Sequence, residues 1–487
     1  MSEKTEAIAP IPVHKQVIGH TVRYNNPPQR KAAKSNPRTC VREKETGTES
    51  RKKGYTMQIS PETRRLADEA EIQLKPVFDR VDEIARKNTE HVLDCFRAAE
   101  VGESMFTPST GYGYGDRGRD AIDALAAKIF RAEAGFMRPS LTSGTHTITV
   151  ALFGLLRPGD WMYSLTGNPY DTLLEVVGII GEPGNGSLRD FGVQFHGEPM
   201  KNGEPDLDAA AAFLRAHGTE VRVMYIQRSK GYENRPTLTT AQIRHAAWKI
   251  RQTAREMGIP APYIVCDNCY GEFTEEYEPT AVPDGAVEEE GVDIIMGSLI
   301  KNPGGGMADT GGYICGTARA VELCGYRLTC PGVGLDGGAS LGQNRNMLRG
   351  LFYAPHTVAQ AVKTAHLAAY LFADAGFSVN PAWDVPRSDI IEAVECGTGD
   401  GLCAFCRGIQ GASPIDSHVI PEPYDMPGYP DPVVMAAGAF VGGASIELSA
   451  DGPMRAPYIA YMQGGLTYES GRLGIMAALE AVLAARG

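Results

Sequence analysis

Three short segments of this sequence hold residues able to do chemistry. The first is Ile294-Ile295-Met296-Gly297-Ser298-Leu299-Ile300-Lys301, followed by Asn302-Pro303-Gly304-Gly305-Gly306. An amine just past an apolar strand and beside a glycine-rich loop is partly desolvated. Desolvation lowers its pKa and suits it to form a Schiff base. Ser298, three residues upstream, places a hydroxyl within reach of an anion. The second segment is Ile264-Val265-Cys266-Asp267-Asn268-Cys269-Tyr270. An aspartate that closes a buried strand sits at the rim of a sheet, where it can keep a pyridine nitrogen protonated and make the ring an electron sink. The third is Leu141-Thr142-Ser143-Gly144-Thr145-His146 at a helix start, with free amides and hydroxyls for an anion. Each segment alone has a plainer reading: a turn lysine, a capping aspartate, and Ser143 as an ordinary N-cap. Their joint occurrence, in the order anion cup, aspartate, lysine, is what points to catalysis.

The elements that must position these residues alternate along the chain. Helical patterning runs from Ser60 to about Ala99, followed by a Gly/Tyr-rich loop over 109–119 and a helix over Asp120–Ala134. Helices are predicted over Thr145–Leu156, Tyr170–Gly178, Ala241–Met257 and Pro355–Ala375. Strands are predicted over Trp161–Ser164, Val221–Gln227, Tyr263–Asp267, Val292–Gly297, Asp389–Val394 and Ala439–Leu448. Short apolar strands between amphipathic helices predict an α/β fold with a large, mostly parallel sheet. The expected organisation is a tail or misassigned start over 1–56, a helical segment over 57–108, a large α/β domain over 109–350 and a smaller α+β domain over 351–487.

Composition narrows the function classes. The formal charge of −12 over 487 residues argues against a nucleic-acid binder, because phosphate backbones require a basic surface. Residues 1–56 carry 12 Lys/Arg against 5 Asp/Glu and few large apolar side chains, which predicts a disordered tail, with Met57 as an alternative start. No apolar run is long enough to span a bilayer, and ten cysteines in so long a chain are not a disulfide scaffold, so a reducing cytoplasm is expected. Cys266-x-x-Cys269 with Cys403-x-x-Cys406 has the look of a zinc site, but the first pair flanks Asp267 and no metal is expected. Gly111-x-Gly113 follows no strand and lacks the third glycine of a dinucleotide fingerprint. His146 is a candidate neighbour of the ring, and Lys230, also past a strand, is the rival lysine.

From about residue 57 onward the chain resembles the methionine gamma-lyase family of aluminium-resistance-like proteins, fold-type-I pyridoxal-phosphate (PLP) enzymes related to the cystathionine lyases. The resemblance rests on STGYGYGDRGR (109–119), SGTH (143–146), IQRSKGY (226–232), DNCYGEF (267–273), GSLIKNPGGGMADTGG (297–312), ELSADGPMRAPY (447–458) and QGGLTYE (463–469). Lys230 and Ala456 depart from the pattern, where Arg and Glu are expected.

The resemblance implies the aspartate-aminotransferase type of fold. It implies that Lys301 carries the cofactor, that Asp267 pairs with the ring nitrogen and that Tyr170 stacks on the ring. Ser143, Gly144, Thr145 and Ser298 would hold the phosphate. Tyr112, Tyr114 and Arg119 would reach the phosphate of a neighbouring subunit, so a homo-oligomer, dimer or tetramer, with shared sites is expected. Arg455 would clamp the carboxylate of an amino-acid substrate, with Arg472 as the second choice. The implied reaction is elimination of a thiol from a sulfur amino acid, leaving a 2-oxo acid and ammonia. Cystathionine or cysteine beta-elimination, transamination, aldolase-type cleavage and a non-enzymatic metal-stress binding role are the alternatives.

Overall fold

The computed structural model describes residues 59–486; the predicted tail over 1–56 lies outside the described residues. Seven strands form the larger sheet: β1 (Ala134–Arg138), β2 (Trp161–Ser164), β3 (Gln194–Gly197), β4 (Val221–Gln227), β5 (Tyr263–Asp267), β6 (Ile294–Ser298) and β7 (Gly312–Gly316), in the order β1-β7-β6-β5-β4-β2-β3. The run β6-β5-β4-β2-β3 is parallel, and β7 is antiparallel to both of its neighbours.

A parallel sheet is covered on both faces, so its strands carry near-continuous apolar runs. Alternate residues of one strand therefore enter two different cores. Met224, Ile226, Ile264, Cys266 and Ile295 pack with the helices at 117–129 and 240–257. Val223, Tyr225, Val265, Ile294 and Met296 pack with those at 144–155 and 318–328.

Five further strands build a second, antiparallel sheet: β8 (Val379–Asn380), β9 (Ile391–Glu395), β10 (Val433–Ala436), β11 (Ser449–Pro453) and β12 (Ile459–Gln463), in the order β10-β11-β12-β9-β8. Its core includes the helices Gly399–Ala412 and Tyr468–Arg486 together with the facing sides of the long helices Pro61–Ala98 and Asn344–Asp374.

The predicted elements nearest the two sheets needed three corrections. The helix expected to reach Ala134 stops at Ile129; Arg131 turns left-handed (φ 50°) and Ala134–Arg138 becomes β1 against β7. That segment reads Ala-Gly-Phe-Met-Arg, with no β-branched residue to announce a strand. Tyr170–Gly178 is a 3₁₀ turn (Asp171–Leu173) and one helical turn (Leu174–Val177) closed by left-handed Gly178. Ala439–Leu448 contains no strand. The Glu447 carboxylate accepts from the Phe440 and Val441 amides at 2.8 and 2.9 Å and folds this segment into a loop, so the strand begins at Ser449.

Candidate active site

Asp267 is the last residue of β5, Ser298 the last of β6, and Lys301 follows three positions later. Because β5 and β6 are parallel neighbours, both strands end on the same rim of the sheet. The helix Gly144–Leu155 starts at that rim as well, and these three elements form one side of a cavity of about 320 Å³. Gly144, Thr145, Tyr170, Asp267, Ser298 and Lys301 all line it.

Contacts within the cavity are close. A Cβ added to Gly144 would stand 3.5 Å from Ser298 Cβ, 3.6 Å from Cys269 Sγ and 4.0 Å from Lys301 Nζ. The helix start therefore faces both the lysine and the serine. Lys301 Nζ lies 3.9 Å from the centroid of the Tyr270 ring, and Tyr270 is held at a positive φ of 73°. A non-glycine residue in that region is strained, and such strain collects at functional sites. The Cys269 amide donates to Asp267 Oδ1 at 3.1 Å, which fixes the carboxylate. Tyr170 Oη is 2.9 Å from Tyr429 Oη, and burial pushes the Tyr170 hydroxyl well up, so it keeps its proton.

The pKa of Lys301 moves in the opposite direction to the sequence expectation. Burial alone lowers its amine, but Cys269, Tyr270 and Asp267 outweigh it and raise the pKa. Desolvation was legible from the strand end. The opposing contributions come from residues that the fold brings up to the amine, Cys269, Tyr270 and Asp267.

The remaining expected residues sit elsewhere. Ser143 is at the edge of the cup and caps the helix, its hydroxyl accepting from the His146 amide at 3.0 Å. The His146 ring accepts from the Thr142 amide at 3.2 Å and does not line the cavity. Arg119 is buried and donates to the carbonyls of Gly113 (2.7 Å) and Gly338 (3.0 Å), bracing the 109–119 loop. Tyr112 and Tyr114 project from that loop, 80% and 61% exposed and stacked on each other at 5.6 Å. Arg455 is outside the lining and pairs with Asp431 at 2.7 Å, while Arg472 pairs with Asp68 and Glu71 of the first helix. Lys230, the rival lysine, is buried away from the lining and donates to the Asn380 carbonyl at 2.9 Å. The nine described cysteines are free, and among the described residues no cluster of three or more His, Cys, Asp or Glu could hold a metal.

Sequence reasoning missed the opposite wall. Met435 of β10, Ser449 and Asp451 of β11 and Gln463 of β12 face the cavity, with Tyr429 beside them. The alternation Ser449-Ala450-Asp451 was the available signal, since residues two apart share a face of a strand. It is masked by the apolar run over 439–448, which reads as the strand.

A pyridoxal-phosphate-sized ligand fits the donor set. Ser298 Oγ is buried with no hydrogen-bond partner beside the free amides at the helix start, as an anion would require. Asp267 supplies a carboxylate and Lys301 an amine to the same space.

The fold is that of a PLP-dependent protein, YhfS from Escherichia coli, at 14% identity and a TM-score of 0.52, covering 83% of this chain and 97% of that one. The methionine gamma-lyase family model matches residues 63–483, and the chain belongs to that family of PLP-dependent carbon–sulfur lyases. It is 46% identical over 421 residues to the protein YnbB of Bacillus subtilis, covering 86% of this chain and 96% of that one. A carbon–sulfur lyase involved in aluminium resistance from Clostridium novyi is similar in structure, with a TM-score of 0.80 at 42% identity, covering 87% of this chain and 96% of that one. A Listeria monocytogenes protein, described as a candidate cystathionine beta-lyase involved in aluminium resistance, is 44% identical with a TM-score of 0.80, covering 86% of this chain and all of that one.

Proposed function

We propose that the protein releases a thiol, a 2-oxo acid and ammonia from a sulfur amino acid, using PLP held by Lys301. The observation that supports this reading is the meeting of Lys301, Asp267, the unpartnered Ser298 hydroxyl and the Gly144 helix start around one cavity. When bound, PLP supplies an electron sink for the bond broken at the substrate Cα. The chain's own groups do the rest. Ser298 and the amides of Gly144 and Thr145 hold the phosphate, with Ser143 supporting the helix start. Asp267 keeps a proton on the ring nitrogen. Lys301 takes the proton from the substrate Cα. Tyr170 packs on the ring and delivers a proton to the departing sulfur, and the Tyr429 hydroxyl 2.9 Å away orients it.

The balance is simple. The carbon–sulfur bond breaks, its electron pair stays on sulfur, and sulfur takes the proton. Water then replaces nitrogen at Cα and ammonia leaves. With methionine this γ-elimination gives methanethiol and 2-oxobutyrate; β-elimination from a cysteine thioether needs the same residues and one proton transfer fewer.

Arg455 is assigned to the substrate carboxylate, which requires exchange of its Asp431 partner. Tyr112, Tyr114 and Arg119 are assigned to the edge shared with a second copy in a cytoplasmic homo-oligomer, a dimer or tetramer. The exposure of Tyr112 and Tyr114 on one loop, braced from beneath by buried Arg119, supports that assignment.

The test is the visible spectrum of the purified protein and of Lys301→Ala, before and after borohydride, with 2-oxo acid release from methionine, cystathionine and S-alkylcysteines. A yellow band bleached by borohydride in the wild type and altered in the variant is expected. A protein that stays colourless after added PLP would overturn the reading.

A further inference from the structure

The wall built by the second sheet has a chemistry that methionine does not use. Asp451 lies on β11 two residues from Ser449, so both side chains face the cavity. Gln463, paired with Ser449 in register, donates its amide to Asp451 at 3.3 Å. Among the described residues no lysine, arginine or histidine forms an ion pair with Asp451. Ser449 Oγ is buried without any hydrogen-bond partner. Around the carboxylate stand the rings of Tyr170, Tyr232 and Tyr429, with centroids 5.6, 5.9 and 6.0 Å apart. Burial pushes the Asp451 carboxyl up to about 6, with Tyr232, Gln463 and the charge of Lys301 across the cavity offsetting part of the shift.

An enclosed carboxylate without a direct ion-pair partner is costly to keep ionised, and with Lys301 engaged by the cofactor a cation brought to it recovers that cost. Aromatic faces beside the carboxylate attract a cation further. The unpartnered serine hydroxyl accepts an N–H, which neither a methylthio group nor a sulfonium can offer.

We propose that Asp451, Ser449 and Tyr429 form a receptor for an ammonium group at the far end of the substrate, so that the preferred substrate is a thioether amino acid whose leaving thiol carries an amine. This inference rests on the carbon–sulfur lyase reading above and adds the substrate class. It makes Asp451 a specificity-determining residue, with no part in moving the Cα proton.

Two near-isosteric pairs test it on the PLP-loaded enzyme. The first pair is S-(2-aminoethyl)-L-cysteine and S-propyl-L-cysteine, in which a methyl replaces the ammonium, compared by kcat/KM for pyruvate release. The wild type should prefer the amine at least tenfold. Asp451→Asn should lower kcat/KM for the amine at least tenfold more than for the propyl compound. The second pair, L-lysine and L-2-aminoheptanoate, has no sulfur to eliminate and is compared by calorimetric binding. Lysine should bind at least tenfold more tightly to the wild type, and the preference should vanish in Asp451→Asn. Equal handling of the members of both pairs by the wild type, which needs no variant to fold, would overturn the inference. If no substrate yields a 2-oxo acid, the lyase reading fails, while the lysine binding comparison still decides the role of Asp451.

Discussion

The two walls of the cavity differ in origin and in kind. The rim of the seven-stranded sheet supplies Asp267, Ser298 and Lys301 from the ends of adjacent parallel strands. The wall of the five-stranded sheet supplies Met435, Ser449, Asp451 and Gln463 from the faces of antiparallel strands. A strand end presents whatever residue terminates the apolar run, and its backbone is anchored in a core on both sides. A strand face presents every second residue, so one wall can be retuned without disturbing the fold behind it. The rim is thus suited to fixed chemistry common to all substrates, and the face to discrimination among them.

Several changes would break or sharpen that comparison. Lys301→Ala should have the largest effect, lowering kcat by about 10²–10⁴-fold for every thioether alike, as expected for a lost proton-transfer group. Steady-state 2-oxo acid release measures it, and a loss confined to one substrate would contradict the division between walls. Asp267→Asn should follow, with a loss of about 10²–10³-fold that is again uniform across substrates, because it removes charge stabilisation from the ring and not from the side-chain end. Arg455→Ala should raise KM about tenfold for all amino acids through a lost charge-assisted bond worth roughly 1.5 kcal/mol. An unchanged KM would place the carboxylate clamp elsewhere.

The smallest effect concerns stability. Glu272, beneath the rim, accepts from Tyr313 Oη at 2.7 Å, and burial pushes its carboxyl up to about 8. The folded chain then holds a proton that the unfolded chain has released between the ordinary glutamate pKa and about 8. Its contribution to stability therefore falls as pH rises through that window. Tm measured from pH 5 to 8 should show a flatter profile for Glu272→Gln than for the wild type; parallel profiles would show that Glu272 is not the proton holder.

Much of the rim was legible because its signals are local. Trp161–Ser164, Val221–Gln227 and Tyr263–Asp267 are strands with the expected bounds; the first is carried by Trp161 and Tyr163, the other two by valines and isoleucines. The segments of β1 and of the second sheet were harder to read. Ala134–Arg138 carries no β-branched residue, and the Gly442-Gly443 loop before β11 is as apolar as a strand. In that loop the Glu447 hydrogen bonds, not propensity, decide the backbone path.

The sequence by itself determined the α/β alternation, the helix start at Ser143–Thr145 and the placing of Asp267 and Lys301 at strand ends, because each depends on residues within one short run. Only the tertiary structure decided which wall faces that rim and which way the Lys301 pKa moves. Asp451 reaches the cavity through a separate sheet, and the Lys301 pKa sums burial against charges from other segments. Both are through-space quantities, and neither has a period or a spacing that the chain alone could carry.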